Sequence, residues 1–188
     1  TNNFAATSFQ SLATVAVSDT TVSIADLNDA IAQANTATGG TTTVFSVASG
    51  ATITTGDEAA FSTLLTNESN GNIAITDQNL TVSSGTISVD NANLLNATTT
   101  GTVTAAIDLT EDVDELATLS GTGAYTIVIA SGDATGSTAA EFNTINSATT
   151  VAIDASEVTA LASSNLSDVK TLLTAANDTD QFLSLIHI

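Results

Sequence analysis

The chain of 188 residues contains no cysteine, a single residue that is either Lys or Arg, and a single histidine. Without cysteine no disulfide can staple the fold, and no thiolate is available as a nucleophile. The lone base is Lys170. Twenty Asp and Glu residues are an ordinary share, so the net charge of −19 arises from missing bases rather than from surplus acids, and little internal ion pairing is possible. Binding to a phosphate backbone rests on Lys and Arg, so nucleic acid is repelled, and anionic membrane surfaces are repelled for the same reason. No apolar run approaches the roughly 18 to 20 residues that a membrane-spanning helix needs.

The histidine, His187, lies in the terminal Leu183-Ser184-Leu185-Ile186-His187-Ile188, which reads as the translation of a transposon-derived DNA-sequencing adapter and is set aside as non-native. The rest of the chain then has no imidazole, and nucleophile activation would fall to Ser, Thr, Asp, Glu, Tyr125 or Lys170 alone. No enzyme is expected from that inventory. A carboxylate pair could still hydrolyse a glycoside, and the densest acidic cluster is Glu111, Asp112, Asp114 and Glu115. At the start of a helix such residues chiefly offset the helix dipole. The same cluster offers oxygen ligands to Ca²⁺, but neither EF-hand spacing nor a glycine-rich nonapeptide array is present. The expectation is therefore no resident cofactor, with weak, screening binding of a divalent cation such as Ca²⁺.

What is present is apolar enough to fold. Hydrophobic residues make up 43% and the mean hydropathy is +0.30, which excludes the low-hydropathy signature of disorder. A chain of this length can bury one sizeable core. The start at Thr1, the abundance of Thr and Ala and the single tryptic site suit a processed, secreted protein, so an extracellular or cell-surface location is expected.

Thr7 to Val17 alternates as a strand, with Phe9, Ala13, Val15 and Val17 on one parity and Gln10, Thr14 and Ser18 on the other. Ser23 then caps a helix with Asp26 three residues on and a stripe of Ile24, Leu27, Ile31 and Ala34. Beyond Gly39-Gly40 a weak repeat sets a short apolar strand before a polar turn and a short helix, with strand anchors at Val44, Ile73, Val103, Ile127 and Val151. Helix starts are expected at Thr55 with Glu58, at Asp90, at Thr110, at Thr138 with Glu141, and at Asn165 with Asp168. Ser83-Ser84-Gly85 between β-prone runs predicts a hairpin turn.

The fold class predicted is mixed α/β, short strands alternating with short helices in a small barrel or curved sheet, with an exchanged N-terminal strand. The alternative is a parallel β-solenoid, since a period of 24 to 30 residues is also a solenoid period. The domain organisation expected is a donor strand or arm over 1–20, a repeat-built domain over 21–182 and the adapter remnant over 183–188. Sequons occur at Asn67, Asn79, Asn96, Asn165 and Asn177, and Thr98-Thr99-Thr100 could carry O-glycans.

Two stretches carry resemblances. Ser23 to Asn35, followed by Gly39-Gly40 and Thr43-Val44-Phe45, resembles the opening helix of secreted parallel β-helix proteins, with Asn28 and Asp29 where that motif has Arg-Glu. Units such as Ile73-Ala-Ile-Thr-Asp and Val151-Ala-Ile-Asp-Ala resemble repeats in secreted surface proteins of cyanobacteria and other aquatic bacteria. Some members of that broad group are subunits of helical extracellular fibrils in which an N-terminal strand inserts into another subunit. The resemblance implies that Thr7 to Val17 is the donated strand and that the partner is a second copy of the chain. A one-way insertion is heterologous and, unless it closes a ring, propagates as a helical filament. The other reading is a stalk fragment of a larger surface adhesin.

Overall fold

The computed structural model describes residues 13–37, 42–132, 134 and 136–183. Ten short strands and six helices alternate along them: β1 Thr14–Val17, β2 Thr21–Ser23, α1 Ile24–Ala37, β3 Val44–Val47, β4 Thr52–Gly56, α2 Glu58–Ser69, β5 Ile73–Ala74, β6 Asn79–Val82, α3 Val89–Thr98, β7 Val103–Ala106, α4 Val113–Leu116, β8 Ala124–Thr126, α5 Ala139–Ala148, β9 Ile153–Asp154, α6 Leu166–Ala176 and β10 Phe182–Leu183. The mixed α/β class read from the sequence is the observed class. No helix among the described residues is long and apolar enough to cross a membrane.

The chain packs as two compact units, one taking the described residues up to Gly85 together with Ala97–Thr102, the other taking Thr86–Asn96 and Val103 onward. In the first unit strands stack in two parallel ladders, β1-β3-β5 and β2-β4-β6. Val15 is paired with Phe45 and Phe45 with Ile73; Val22 is paired with Ile53 and Ile53 with Leu80. Each strand thus meets its counterpart one repeat further on. In the second unit β7 pairs with β8 and β9 with β10, again in parallel, with parallel bridges between Ile87 and Ile107, Gly123 and Thr149, and Val128 and Asp154.

This nearest-repeat pairing corrects the barrel expectation. Among the described residues no closed barrel forms, because the ladders end in unpaired edges and no last strand returns to a first. The pairing within each unit is that of stacked coils, the solenoid alternative. The predicted hairpin at Ser83-Ser84-Gly85 is not formed either. Gly85, at φ +76°, turns the chain out of β6, Ile87 bridges in parallel to Ile107, and α3 begins at Val89. The expected single strand per repeat also falls short in the first unit, where each coil carries two, such as β3 with β4 and β5 with β6. Val44, Ile73 and Val103 open β3, β5 and β7, whereas Ile127 follows β8 and Val151 precedes β9.

Side chains that alternate along strands and recur along helices build the interiors. Phe45, Ile53, Ile73 and Leu80 from strands meet Ile24, Leu27, Ile31, Phe61 and Leu64 from α1 and α2 in the first unit, all buried. Val103, Ala105, Tyr125, Ile127 and Ile153 with Leu116, Phe142, Ile145 and Leu172 do the same in the second. Such apolar burial is the main favourable term in the fold.

The helix starts are cut by short polar side chains. Ser23 accepts from the Asp26 N–H at 3.4 Å, and Thr138 and Glu141 form a reciprocal capping box, both as expected. Three caps sit elsewhere. Asp57, not Thr55, caps α2 by accepting from Ala60 N–H at 2.9 Å; Ser88, not Asp90, caps α3 by accepting from Asn91 N–H at 3.3 Å; Asp112, not Thr110, caps α4 in a box with Glu115. Thr55 cannot cap because it is in the left-handed region, φ 65°, at the point where the β4–β6 register shifts. Asn165 is the residue before α6, but its side chain makes no cap bond.

Candidate assembly site

The expected donor strand is visible from Ala13. Thr14–Val17 forms β1 at the edge of its ladder, held in register to β3 of the same chain, with Val44 N–H donating to the Ala13 carbonyl at 3.0 Å and Ala48 N–H to the Val17 carbonyl at 2.9 Å. In the single chain, then, this strand completes its own sheet. Val15 and Val17 are half-buried and Thr14 and Ala16 exposed, the predicted facing, while Ala13 is exposed. Phe9 lies outside the described residues.

Successive coils are joined by a device that repeats at fixed positions relative to the helix caps. The fifth residue after the cap is Asn28 in α1, Asn93 in α3 and Asn143 in α5. Each sends its side-chain amide forward to a backbone carbonyl of the next coil: Asn28 to Ala60 at 3.0 Å, Asn93 to Thr118 at 3.1 Å and Asn143 to Asp168 at 3.1 Å. Asn28 also accepts from Asn67 at 3.1 Å, and Asn93 accepts from the Ser120 N–H at 2.7 Å. The first helical residue is met in a matching way by the residue just before the next cap. A Cβ on Gly56 would overlap the Ile24 side chain, Val89 N–H donates to the Glu111 carboxylate at 3.0 Å, and Ala139 N–H donates to the Ser164 hydroxyl at 3.0 Å. Buried threonines bind backward: Thr99 donates to the Gln78 carbonyl at 2.6 Å and Thr149 to the Tyr125 carbonyl at 2.8 Å.

Helix α6 breaks this pattern. Its first residue, Leu166, is 84% exposed, where the same position is Ile24, Val89 and Ala139 in α1, α3 and α5, none above 3%. Leu173 is 53% exposed, where α1 has the buried Ile31. Leu166, Val169 and Leu173 line one side of a shallow groove with Lys170, Thr174 and Asn177. Lys170, the chain's sole base, stands at the fifth residue after Asn165, the position that holds the forward-reaching Asn in α1, α3 and α5. From the sequence, Leu166, Val169 and Leu173 read as the apolar stripe of a last helix and Lys170 as the lone base, with nothing to mark them as exposed. The signal was present as a recurring Asn at one cap-relative position, which emerges only when the caps are placed correctly.

The acidic cluster is dispersed into separate tasks. Asp112 and Glu115 make the α4 capping box, Glu111 receives the Val89 N–H, and Asp114 faces Glu141. Partial burial and then the adjacent Glu115 hold the Glu111 carboxyl above its ordinary range; hydrogen bonding and repulsion from Glu141 raise Asp114. Glu141 itself is lowered, chiefly by the Thr138 N–H. Among the described residues no group of three or more His, Cys, Asp or Glu side chains converges as a metal-binding set. Tyr125 is buried over Gly123, its hydroxyl lacks a hydrogen-bond partner among the described residues, and burial pushes its pKa up to about 12.

Three of the five sequon asparagines are packed into the coils. Asn67 bonds to Asn28, Asn79 accepts from Thr102 N–H at 2.9 Å and donates to the Gly50 carbonyl at 3.2 Å, and half-buried Asn96 lies against Gly121. Asn165 and Asn177 are exposed. Of the threonine run that could carry O-glycans, Thr99 is buried, while Thr100 is exposed and donates to the Thr76 carbonyl at 3.0 Å. Set against known proteins, the chain matches no family model, no curated protein and no solved structure.

Proposed function

We propose that the chain is a non-enzymatic structural subunit of an extracellular helical fibril, polymerising by passing its N-terminal strand to a neighbouring copy. One observation carries the reading: β1 is an edge strand attached through a single neighbour, β3. An exchanged strand reuses the contacts it makes at home, so the Thr14–Val44 to Val17–Val47 register can be satisfied equally by β3 of another copy. The near-absence of acid–base groups beyond carboxylates argues for a scaffold rather than a catalyst. The charge of −19 keeps separate filaments apart, and divalent cations such as Ca²⁺ screen it.

The test is electron microscopy of residues 1–182, purified without refolding, beside a chain lacking residues 1–20. Uniform thin filaments from the first and dispersed folded subunits from the second support the reading. Identical filaments from both would remove strand exchange as the mechanism. Dispersed monomers from the longer chain favour the stalk of a larger surface adhesin, for which stacked coils are equally suited.

A further inference from the structure

We infer that Asn70 is a self-modification site, at which the backbone nitrogen of Gly71 displaces the side-chain amide when the last turn of α2 opens. The site lies within one turn of the first unit and stands whether or not the chain polymerises.

Asparagine is a thermolabile residue, because its side-chain carbonyl can be attacked by the backbone nitrogen that follows it. Glycine in the following place leaves that nitrogen without a side chain beside it, and its backbone reaches conformations closed to other residues. Asn70-Gly71 is the one such pair in the chain. Both residues are exposed, and a Cβ placed on Gly71 would meet nothing within 4 Å, so solvent has free approach. In the step itself the Gly71 nitrogen gives its proton to solvent base and bonds to Cγ of Asn70. A five-membered imide closes as the side-chain nitrogen takes up a proton and leaves as ammonia. Water then opens the ring at either carbonyl, which leaves an aspartate or an isoaspartate at position 70.

The resting structure holds this step back. Asn70 ends α2 at ψ −2°, which keeps the Gly71 nitrogen on the side of Asn70's own nitrogen rather than beside its side chain. The Gly71 N–H also donates to the Glu68 carbonyl at 2.9 Å, and the Asn70 N–H to the Thr66 carbonyl at 3.0 Å. Ring closure therefore requires the last turn to unwind. Helix ends fray at small free-energy cost, while buried Phe61 and Leu64 anchor the body of α2.

The product alters the corner that feeds β5. The Asn72 N–H donates to the Asn67 carbonyl at 2.8 Å, and the Asn72 carbonyl accepts from the Phe45 N–H at 2.8 Å, which sets Ile73 beside Phe45. An isoaspartate inserts one more carbon into the main chain just ahead of these bonds. Either product places a carboxylate at the negative end of the α2 dipole. Strand β5 is thereby loosened from β3.

The test is peptide mapping by mass spectrometry of the full chain held at mildly alkaline pH, folded and in urea, with electron-transfer fragmentation to tell aspartate from isoaspartate. The folded chain is expected to convert Asn70 before any other asparagine, several-fold more slowly than the urea-unfolded chain, and to yield both products. Ser69→Gly weakens the last turn of α2 and is expected to raise the folded rate about two-fold relative to the rate in urea. An Asn70 that stays intact while other asparagines convert overturns the site. A folded rate equal to that in urea, or one that Ser69→Gly does not move, overturns the control by α2.

Discussion

The side-chain amide of Asn143 donates to the backbone carbonyl of Asp168 at 3.1 Å, binding α5 to α6 at a position where α1 uses Asn28 to hold α2. Both bonds are partly shielded, and each spans from one coil to the next. Replacing Asn143 or Asn28 by Leu removes the donor and leaves the helix intact. Each substitution is expected to cost about 1 kcal/mol in urea unfolding, the net worth of one such bond. Amide exchange should accelerate chiefly in the coil pair concerned, because stacked coils communicate through nearest neighbours. Uniform acceleration throughout the chain would contradict that locality.

Gly123 and Tyr125 form a second testable pair. The ring lies where a Cβ on residue 123 would be, so Gly123→Ala must displace a buried aromatic and is expected to cost about 1–3 kcal/mol. Tyr125→Phe removes only a hydroxyl that is buried without a partner among the described residues, and is expected to be neutral or to stabilise by about 1 kcal/mol. A marked loss of stability in Tyr125→Phe would show that the hydroxyl is satisfied.

The carboxylates set a pH profile with a maximum on the acidic side. Glu111 and Asp114 titrate above their ordinary values of 4.5 and 3.8, so what they contribute is present below those values and is lost as pH rises through their raised ones. Asp77, Asp108, Glu141 and Asp178 titrate low, held chiefly by the Ser49 hydroxyl, the Thr110 N–H, the Thr138 N–H and the Gln181 amide. Their contribution is present above the ordinary values and is lost as pH falls through the lowered ones. Thermal melts should therefore improve on moving from neutrality toward the ordinary carboxylate range and decline below it. Asp114 and Asp178 are exposed and the other four are only partly covered, so the trend should flatten in high salt. Asp114→Asn keeps a donor toward Glu141 without the charge and should remove part of the loss at neutral pH.

Val15 and Val17 point to the same side of β1 and are half-buried. Val15→Asp with Val17→Asp places two carboxylates on that side, which disfavours the strand in its own sheet and in a partner's alike. The expected outcome is loss of filaments with most of the circular dichroism retained, since the core of the first unit lies on other strands and helices. Unchanged assembly would show that the facing of β1 is irrelevant to it.

Much of this architecture was legible. The stripe of α1 and its Ser23 cap, the Thr138–Glu141 box and the alternation of strands with helices all follow from local rules, and each is present. The misplacements were also local. Thr55, Asp90 and Thr110 were plausible caps by residue type, but Thr55 adopts φ 65° at a register shift, and Ser88 and Asp112 lie where the coil ends. Each error moved a helix start by two residues, and the one at Ser88 hid the alignment of Asn93 with Asn28 and Asn143. Ser83-Ser84-Gly85 carries the chemistry of a hairpin turn, and the choice between a hairpin and a coil corner depends on partners that arrive only with β7 and Ile107. The exposure of Leu166 was beyond any sequence argument, since its spacing with Val169 and Leu173 is that of an ordinary buried stripe.

The parallel ladders carry one further consequence, for how the chain acquires its structure. Among the pairings within the two units, none reaches further along the chain than Thr21 with Thr52. Every ladder therefore closes a short loop, whose entropic cost is small and similar from coil to coil. A chain organised in this way can condense progressively, each coil templating the next, while it is still emerging as an extended thread through a narrow pore.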